Sequence, residues 1–355
     1  MNFDIVDNFK KLSICEKNFF ITISISFLFA IYLNLYFISS TVLSLIITFV
    51  IISLIFIYLS NLISNNEKLW LNKEVLLYII LGLLGFHLPF FFIGSSRVSY
   101  EKENLDYILI KIDTFLLGNI FPKGQMSLYL DKNKLLGPHS KIGIIMNNIL
   151  QIFYFMYYVI PYVSIYFVLI PVCIKGTIER YKNNGQKKIG YKKNWDNLFF
   201  TLSVYILTYC SILFINTIIP ATSPRLYLKD EYTNSLELDG ISRIVNKFCK
   251  DNKSANSFPS GHVAESLCIV LALFSLGYNV LGIIFGISVI FIFLSILVLR
   301  YHYFCDGLVG VIIAILSYVL FYNLSYKRII YEKESDEDRE EYQKLLNEEE
   351  NTTDV

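Results

Sequence analysis

Two histidines of this chain stand in short polar segments that border long apolar runs. His262 ends the segment FPSGH (258–262), and His302 lies in RYHYFCDG (300–307), four residues before Asp306. Residues four apart share a face of a helix, so the Asp306 carboxylate could hydrogen-bond one ring nitrogen of His302. The other nitrogen would then be free to attack. This spacing indicates covalent catalysis by a histidine, with a second histidine across the site.

A third polar segment, PATSPR (220–225), contributes a further arginine, Arg225. In FPSGH, Pro259 suits the first turn of a helix, whose N-terminal N–H groups and dipole favour an anion such as phosphate. Arg225 of PATSPR and Arg300 of RYHYFCDG supply positive charge. The pattern therefore predicts phosphoryl transfer through a covalent histidine intermediate. The candidate phosphate-binding residues are Arg225, Ser260, Gly261 and Arg300.

Simpler interpretations exist for each part taken alone. The PSGH segment could be a helix start with a hydrogen-bonded histidine, and either arginine could be an anchor at a membrane surface. The pair of His302 and Asp306 is harder to explain structurally, because an unpaired acid near the bilayer costs roughly 2 to 3 kcal/mol. His87 is expected to be a packed core residue, and His139 a loop residue.

The composition is that of a polytopic membrane protein. Of the 355 residues, 54% are hydrophobic and only 17% are charged, and the mean hydropathy is +0.50. A net charge of +1 gives no basic excess that would indicate nucleic acid as a partner. The six cysteines have neither CxxC nor metal-ligand spacing, so no disulfide framework, zinc site or other metal site is predicted, and no cofactor is implied.

Apolar runs of about 20 residues predict an all-α bundle of about eight transmembrane helices. The candidate spans are 19–39, 41–63, 75–94, 152–174, 197–219, 262–277, 279–299 and 304–325. The run 142–174 is too long for one upright helix, so its first part is expected in the interface, with a kink or tilt at Pro161. Apolar residues at helical spacing in 105–118 predict an amphipathic helix on the membrane surface that covers part of the site.

The distribution of Lys and Arg predicts the orientation. The segment 175–196 holds seven Lys and Arg against two acids, whereas 95–140 and 219–261 balance their charges. Cytoplasmic segments carry the excess of cations, so 175–196 and both termini are expected in the cytosol. The three polar segments then meet on the opposite, extracytoplasmic or lumenal face. The acidic end 329–355 is expected to be a solvated cytoplasmic tail.

The segments FPSGH and RYHYFCDGLVG, separated by two apolar runs, resemble the last two motifs of the type-2 phosphatidic acid phosphatase superfamily. The resemblance implies a six-helix catalytic domain over 75–328, preceded by a pair of helices in 1–74. It also implies His302 as nucleophile, Asp306 as its orienting partner and His262 as the acid that protonates the leaving oxygen. Such an enzyme would be metal-independent and would act on a lipid phosphate within the membrane.

Departures from the common motifs favour one branch of that superfamily. Ile296 stands where an arginine commonly follows serine, and the pattern His302-Tyr303-x-x-Asp306 resembles inositol phosphorylceramide synthases and, more distantly, sphingomyelin synthases. IDTFLLGNIFP (112–122) and YYVIP (157–161) are similar to the same branch. This likeness implies transfer of a phospho-head-group such as inositol phosphate to a lipid alcohol, with a lipid alcohol or inositol as the candidate acceptor. A phosphatidate or isoprenoid diphosphate phosphatase, a transporter and an inactive scaffold remain alternatives.

Overall fold

A computed structural model describes residues 13–36, 105–135, 141–182, 190–234, 236, 240–250 and 257–327. Within these ranges the regular elements are helical, which confirms the predicted all-α class. The α-helices are α1 Ile14–Tyr36, α2 Asp106–Leu117, α3 Met126–Lys132, α4 Lys141–Tyr162, α5 Ile170–Lys182, α6 Gly190–Ile218, α7 Pro224–Tyr227, α8 Ile241–Lys250, α9 Gly261–Ser275, α10 Asn279–Val298 and α11 Phe304–Phe321.

Several of these helices have the length and composition to cross a bilayer. Four candidate spans occur in the described ranges: Lys141–Gly176, Asn194–Ile218, Asn279–Val298 and Phe304–Ser325. They match the predicted spans that begin at 152, 197, 279 and 304, and they indicate a multi-pass membrane protein. The predicted span 262–277 corresponds to the shorter apolar helix α9, and 19–39 overlaps α1. The predicted spans 41–63 and 75–94, both domain boundaries and the acidic tail lie outside the described residues.

Helix α9 occupies the middle of the bundle. It packs against α4, α6, α10 and α11, and its buried residues lie on all sides of the helix. An apolar helix without a polar face is suited to this position, because every side meets another helix. Helix α1 packs against α6, where the rings of Phe19 and Phe199 are 5.0 Å apart. The buried residues of α9 are therefore held from several directions.

Helical backbone continues through Pro161, where the sequence predicts a kink or tilt. Pro161 is buried inside α4, and a π-helical segment, Val163–Leu169, joins α4 to α5. Proline has no N–H to complete the hydrogen-bond ladder, and a wider π-helical turn is one way for a helix to continue past such a gap.

The polar loops meet at one end of the bundle. The N–H of Leu105 donates to the carbonyl of Pro220, at 2.9 Å, and the N–H of Ser257 donates to the carbonyl of Ala221, at 2.9 Å. The opposite end is joined by a hydrogen bond from the Ser13 hydroxyl to Asp196. The structure thus brings the three predicted motif segments to a single end.

Helix α2 has the predicted extent but an unusual orientation of its polar residues. Asp106 and Asp113 lie on its buried face, whereas Phe115 is 87% exposed and Ile112 is 40% exposed. A helix that turns carboxylates inward and apolar groups outward is suited to lying against lipid. Its two acids accept hydrogen bonds from other parts of the protein.

Candidate active site

His302 and His262 face each other at the polar end of the bundle. Nε2 of His302 lies 3.1 Å from Nδ1 of His262. His302 is buried in the bend between α10 and α11, and His262 is the second residue of α9. The two predicted histidine segments therefore form one site.

The surroundings of His302 determine which ring nitrogen carries the proton. Its Nδ1 lies 2.7 Å from the main-chain oxygen of Ser257 and 3.2 Å from Oδ2 of Asp306. A carbonyl and a carboxylate oxygen only accept hydrogen bonds, so Nδ1 is the donor. In the neutral ring the lone pair then resides on Nε2, which is the nitrogen that faces His262.

Asp306 contacts His302 through a helix cap and not through the shared helical face that the sequence suggests. His302 precedes α11, which begins at Phe304, and Asp306 is the third residue of that helix. Its Oδ2 also accepts the N–H of Tyr303, at 2.9 Å, and the hydroxyl of Ser257, at 2.6 Å. Ser257, one residue before FPSGH, was not predicted as part of the site. It holds both His302 and Asp306.

The N-terminus of α9 presents polar groups beside the histidine pair. Ser260 is its N-cap residue, so Pro259 lies before the helix and not in its first turn as predicted. The first helical bond runs from the N–H of Ala264 to the carbonyl of Ser260, at 3.2 Å, which leaves Gly261 and the next two residues without an intrahelical acceptor. The buried Ser260 hydroxyl has no hydrogen-bond partner among the described residues.

Close packing of α11 on α9 fixes the relative position of the two motifs. The N–H of Ser260 donates to the carbonyl of Asp306, at 3.0 Å. A Cβ at Gly310 would lie 2.6 Å from the carbonyl oxygen of Ser260. Glycine is therefore required where the helices cross.

Arg300 is held by protein groups. Its guanidinium donates to Asp131 Oδ1, at 2.8 Å, and to the carbonyl of Asn234, at 2.9 Å, and it lies 3.8 Å from the centre of the Tyr232 ring. Arg300 has a positive φ of 68°. Its buried Nε has no hydrogen-bond partner within the described ranges.

Arg225 lies next to Arg300. Its N–H donates to the carbonyl of Arg300, at 3.0 Å. Burial lowers the pKa of the Arg300 guanidinium; Tyr232 and Asp131 oppose this shift, and the neighbouring Arg225 adds to it. The structure thus brings together the two arginines that the sequence predicts as phosphate-binding residues, and the charge of Arg300 is paired with Asp131.

Three buried aspartates on α2 and α3 hold the site loops, and the sequence did not identify them as functional. Asp106 accepts the N–H and hydroxyl of Thr222 and the hydroxyl of Tyr303. Burial raises the pKa of Asp106 despite these hydrogen bonds. Asp113 accepts two N–H groups at the start of α11, and Asp131 pairs with Arg300. Their common signal is an acid on an otherwise apolar amphipathic segment.

Tyrosines of α4 surround the other side of His262. The rings of Tyr154 and Tyr157 lie 4.6 and 4.1 Å from the His262 ring, and Tyr301 stacks on Tyr154 at 4.2 Å. These rings give the site an apolar wall. No group of three or more His, Cys, Asp or Glu side chains that could hold a metal ion occurs in the described part of the chain. His87 and His139 lie outside it.

The chain is similar in sequence to known proteins over the part that holds both histidines. The PAP2 superfamily model matches residues 192–320. The chain is 34% identical over 261 residues to a PA-phosphatase related-family protein of Dictyostelium discoideum; the match covers 69% of this chain and 46% of that protein, so the chain spans about half the length of the relative. No solved structure matches the chain. The matched residues 192–320 include both site histidines and Asp306, so the similarity to the PAP2 superfamily covers the candidate site.

Proposed function

We propose that the protein is a membrane-embedded enzyme that cleaves phosphate esters of lipids through a phosphohistidine intermediate. The observation that carries this proposal is the state of His302: its Nδ1 is committed to two oxygen acceptors, and its Nε2 lies 3.1 Å from Nδ1 of His262. This arrangement supports His302 as a nucleophile with an orienting carboxylate on one side and a second histidine on the other.

In the proposed reaction, Nε2 of His302 attacks phosphorus, and the bond from phosphorus to the leaving oxygen breaks. His262 gives a proton to that oxygen. His262 then takes a proton from water or an alcohol, whose oxygen attacks the phosphohistidine and returns the bonding pair to Nε2. A phosphoryl group does not fit within 3.1 Å, so substrate binding must separate the two rings.

The phosphate is proposed to bind at the N-terminus of α9. The unpartnered Ser260 hydroxyl and the Gly261 N–H are the donors there, and Arg225 and the free Nε of Arg300 provide charge. The rest of the Arg300 guanidinium is occupied by Asp131, so we assign it a smaller share of the binding than the sequence implies. Because these groups supply the positive charge, activity is expected to persist in EDTA. A complete loss of activity in EDTA that is reversed by added magnesium would contradict this phosphate site.

The membrane-spanning helices and the similar proteins support a lipid as the substrate. Apolar helices that indicate a multi-pass membrane protein suit a lipid donor, and the name of the Dictyostelium relative refers to phosphatidate phosphatase. The resemblance of RYHYFCDG to inositol phosphorylceramide synthases supports transfer of a phospho-head-group such as inositol phosphate to a lipid alcohol. We therefore propose that an alcohol competes with water for the intermediate. The hydrolytic alternative is a phosphatidate or isoprenoid diphosphate phosphatase.

The test is turnover of labelled lipids by the purified full chain. A panel of phosphatidate, isoprenoid diphosphate and phospholipid donors is offered with ceramide, diacylglycerol or inositol, and the products are separated by chromatography. Acceptor-dependent lipid products support transfer; only free phosphate or head group indicates hydrolysis. The absence of turnover with every donor would favour a transporter or an inactive scaffold.

The nucleophile is tested by trapping a ³²P-labelled phosphoprotein that is labile in acid. His302→Ala is expected to abolish both label and turnover, whereas His262→Ala should still become labelled by a donor with a good leaving group. Asp230→Asn, at an exposed acid, is the control. Normal turnover by folded His302→Ala protein would end the histidine-nucleophile proposal.

A further inference from the structure

Asp113 forms a buried bridge between α2 and the start of α11. Its Oδ2 accepts the N–H of Phe304, at 2.8 Å, and its Oδ1 accepts the N–H of Cys305, at 2.9 Å. These are the first two residues of α11. The carboxylate is 0% exposed, and its third hydrogen bond comes from Nε2 of Gln125, at 2.8 Å.

The same helical turn carries the proposed orienting carboxylate. The first N–H groups of a helix need partners from outside its own ladder. Asp306 takes the N–H of Tyr303, and Asp113 takes those of the next two residues. All three N–H groups that follow His302 are thus fixed by carboxylates, and the helix dipole favours both negative charges.

Asp113 is itself held by the turn that follows α2. Gly124 has a φ of +70°, and a Cβ there would lie 2.1 Å from the carbonyl oxygen of Asp113. The turn therefore contacts the Asp113 backbone at a distance that only glycine permits. The next residue, Gln125, donates a hydrogen bond to the Asp113 side chain. Asp113 is therefore held both at its main chain, by the Gly124 turn, and at its carboxylate oxygens, by three hydrogen bonds.

We propose that Asp113 is a positioning residue for catalysis: it fixes the first turn of α11 so that Asp306 meets Nδ1 of His302 in the reactive geometry. The inference rests on the proposed function. Asp113 acts through the backbone of Phe304 and Cys305 and makes no contact with the reacting atoms.

The first experiment is Asp113→Asn in the full chain. Three donors converge on the two carboxylate oxygens, and an amide has only one oxygen, so its NH2 group must face a donor. Since a misplacement of about 1 Å can cost roughly 100-fold in rate, kcat is expected to fall about 10- to 100-fold with KM nearly unchanged. Asp230→Asn is the matched control at an exposed site and should retain wild-type kcat. A wild-type kcat in folded Asp113→Asn protein would overturn the proposal.

A double-mutant cycle with Asp306→Asn separates positioning from general destabilisation. If Asp113 acts through Asp306, the double variant should have the kcat of Asp306→Asn alone. Multiplication of the two losses would overturn the proposal.

Two further results complete the test. If Asp113→Asn does not fold, Gln125→Met removes one of the three hydrogen bonds and should lower kcat severalfold, again without further effect in the Asp306→Asn background. Additive losses for Gln125→Met would also overturn the positioning role. Full activity of both His302→Ala and Asp306→Asn would instead refute the proposed function.

Discussion

The Ser257 side chain connects the nucleophile to its orienting carboxylate, and this gives a test on a single atom. Its hydroxyl donates to Asp306 Oδ2 at 2.6 Å, while its main-chain oxygen accepts from Nδ1 of His302. Ser257→Ala removes the short bond to Asp306 together with the longer hydroxyl contacts to the Tyr301 carbonyl (3.4 Å) and Nδ1 of His302 (3.3 Å), but it keeps the main-chain acceptor. Hydrogen bonds to charged groups contribute about 1.5 to 3 kcal/mol, so kcat is expected to fall about 10- to 100-fold. An unchanged kcat in steady-state assays of the folded variant would show that the hydrogen bond from Ser257 to Asp306 does not contribute to catalysis.

The ion pair of Asp131 and Arg300 predicts a pH-dependent contribution to stability. Although burial acts to raise it, hydrogen bonds from Thr233 and the Arg300 charge leave the pKa of Asp131 below its ordinary value. Asp131→Asn leaves a buried guanidinium without its counter-charge and should cost about 3 to 5 kcal/mol at pH 7. Because the pKa is depressed on folding, this stability is present above about pH 4 and is lost as pH falls through the folded-state pKa.

Denaturation of wild-type and Asp131→Asn protein in detergent over a range of pH measures this effect. The difference in the free energy of unfolding should shrink on acidification. The stabilising role of the Asp131–Arg300 ion pair would be contradicted by a difference in the free energy of unfolding that does not change with pH. It would also be contradicted if Asp131→Asn were as stable as Asp230→Asn at pH 7.

The sequence predicts which residues meet at the candidate site better than it predicts which residues support them. Spacing alone suggested the contact of His302 with Asp306, although the contact arises at a helix cap and not along a helix face. The partner of Arg300 could not be predicted, because Asp131 is 169 positions away and no local pattern joins them. Supports of this kind depend on which loops the fold brings together.

Among the elements, the crossing of α9 and α11 is the most constrained. A Cβ at Gly310 would meet the Ser260 carbonyl oxygen at 2.6 Å, and neither backbone can move without shifting a catalytic motif. Gly310→Ala is therefore expected to destabilise the protein by about 1 to 3 kcal/mol and to reduce kcat. Gly286→Ala is the matched control within an apolar helix, since its Cβ would lie 3.7 Å from Val270, an ordinary contact. Equal stability and activity of the two variants would refute the close crossing.

Periodicity predicted the existence of α2 but not which of its faces is buried. Apolar residues at helical spacing are usually assigned to the protein core, yet here Phe115 faces outward and Asp113 inward. In a membrane protein the outer surface is also apolar, so hydrophobicity alone does not distinguish the lipid side from the protein side. The contacts of the acids with the N–H groups of α11 and Thr222 decide the orientation.

For the whole molecule, the length of the central helix affects where the chemistry occurs. Helix α9 has 15 residues and is about 22 Å long, whereas the hydrocarbon core of a bilayer is about 30 Å thick. At least one of its ends must therefore lie below a membrane surface. If the recessed end is the one that carries His262, a lipid phosphate could reach it from the bilayer past the tyrosines of α4.

The orientation of the molecule is the last prediction. The cation-rich segment 175–196 should be cytosolic, which places Lys229, at the site end, on the opposite face. Single cysteines at Lys229 and Lys187 test this with a membrane-impermeant maleimide, in a background with serine at Cys249; the other five cysteines are buried. The cysteine at 229 should react in intact cells or sealed vesicles of known orientation, and that at 187 only after permeabilisation. Because the site loops meet at one end of the bundle, the reverse pattern would place the entire active site in the cytosol.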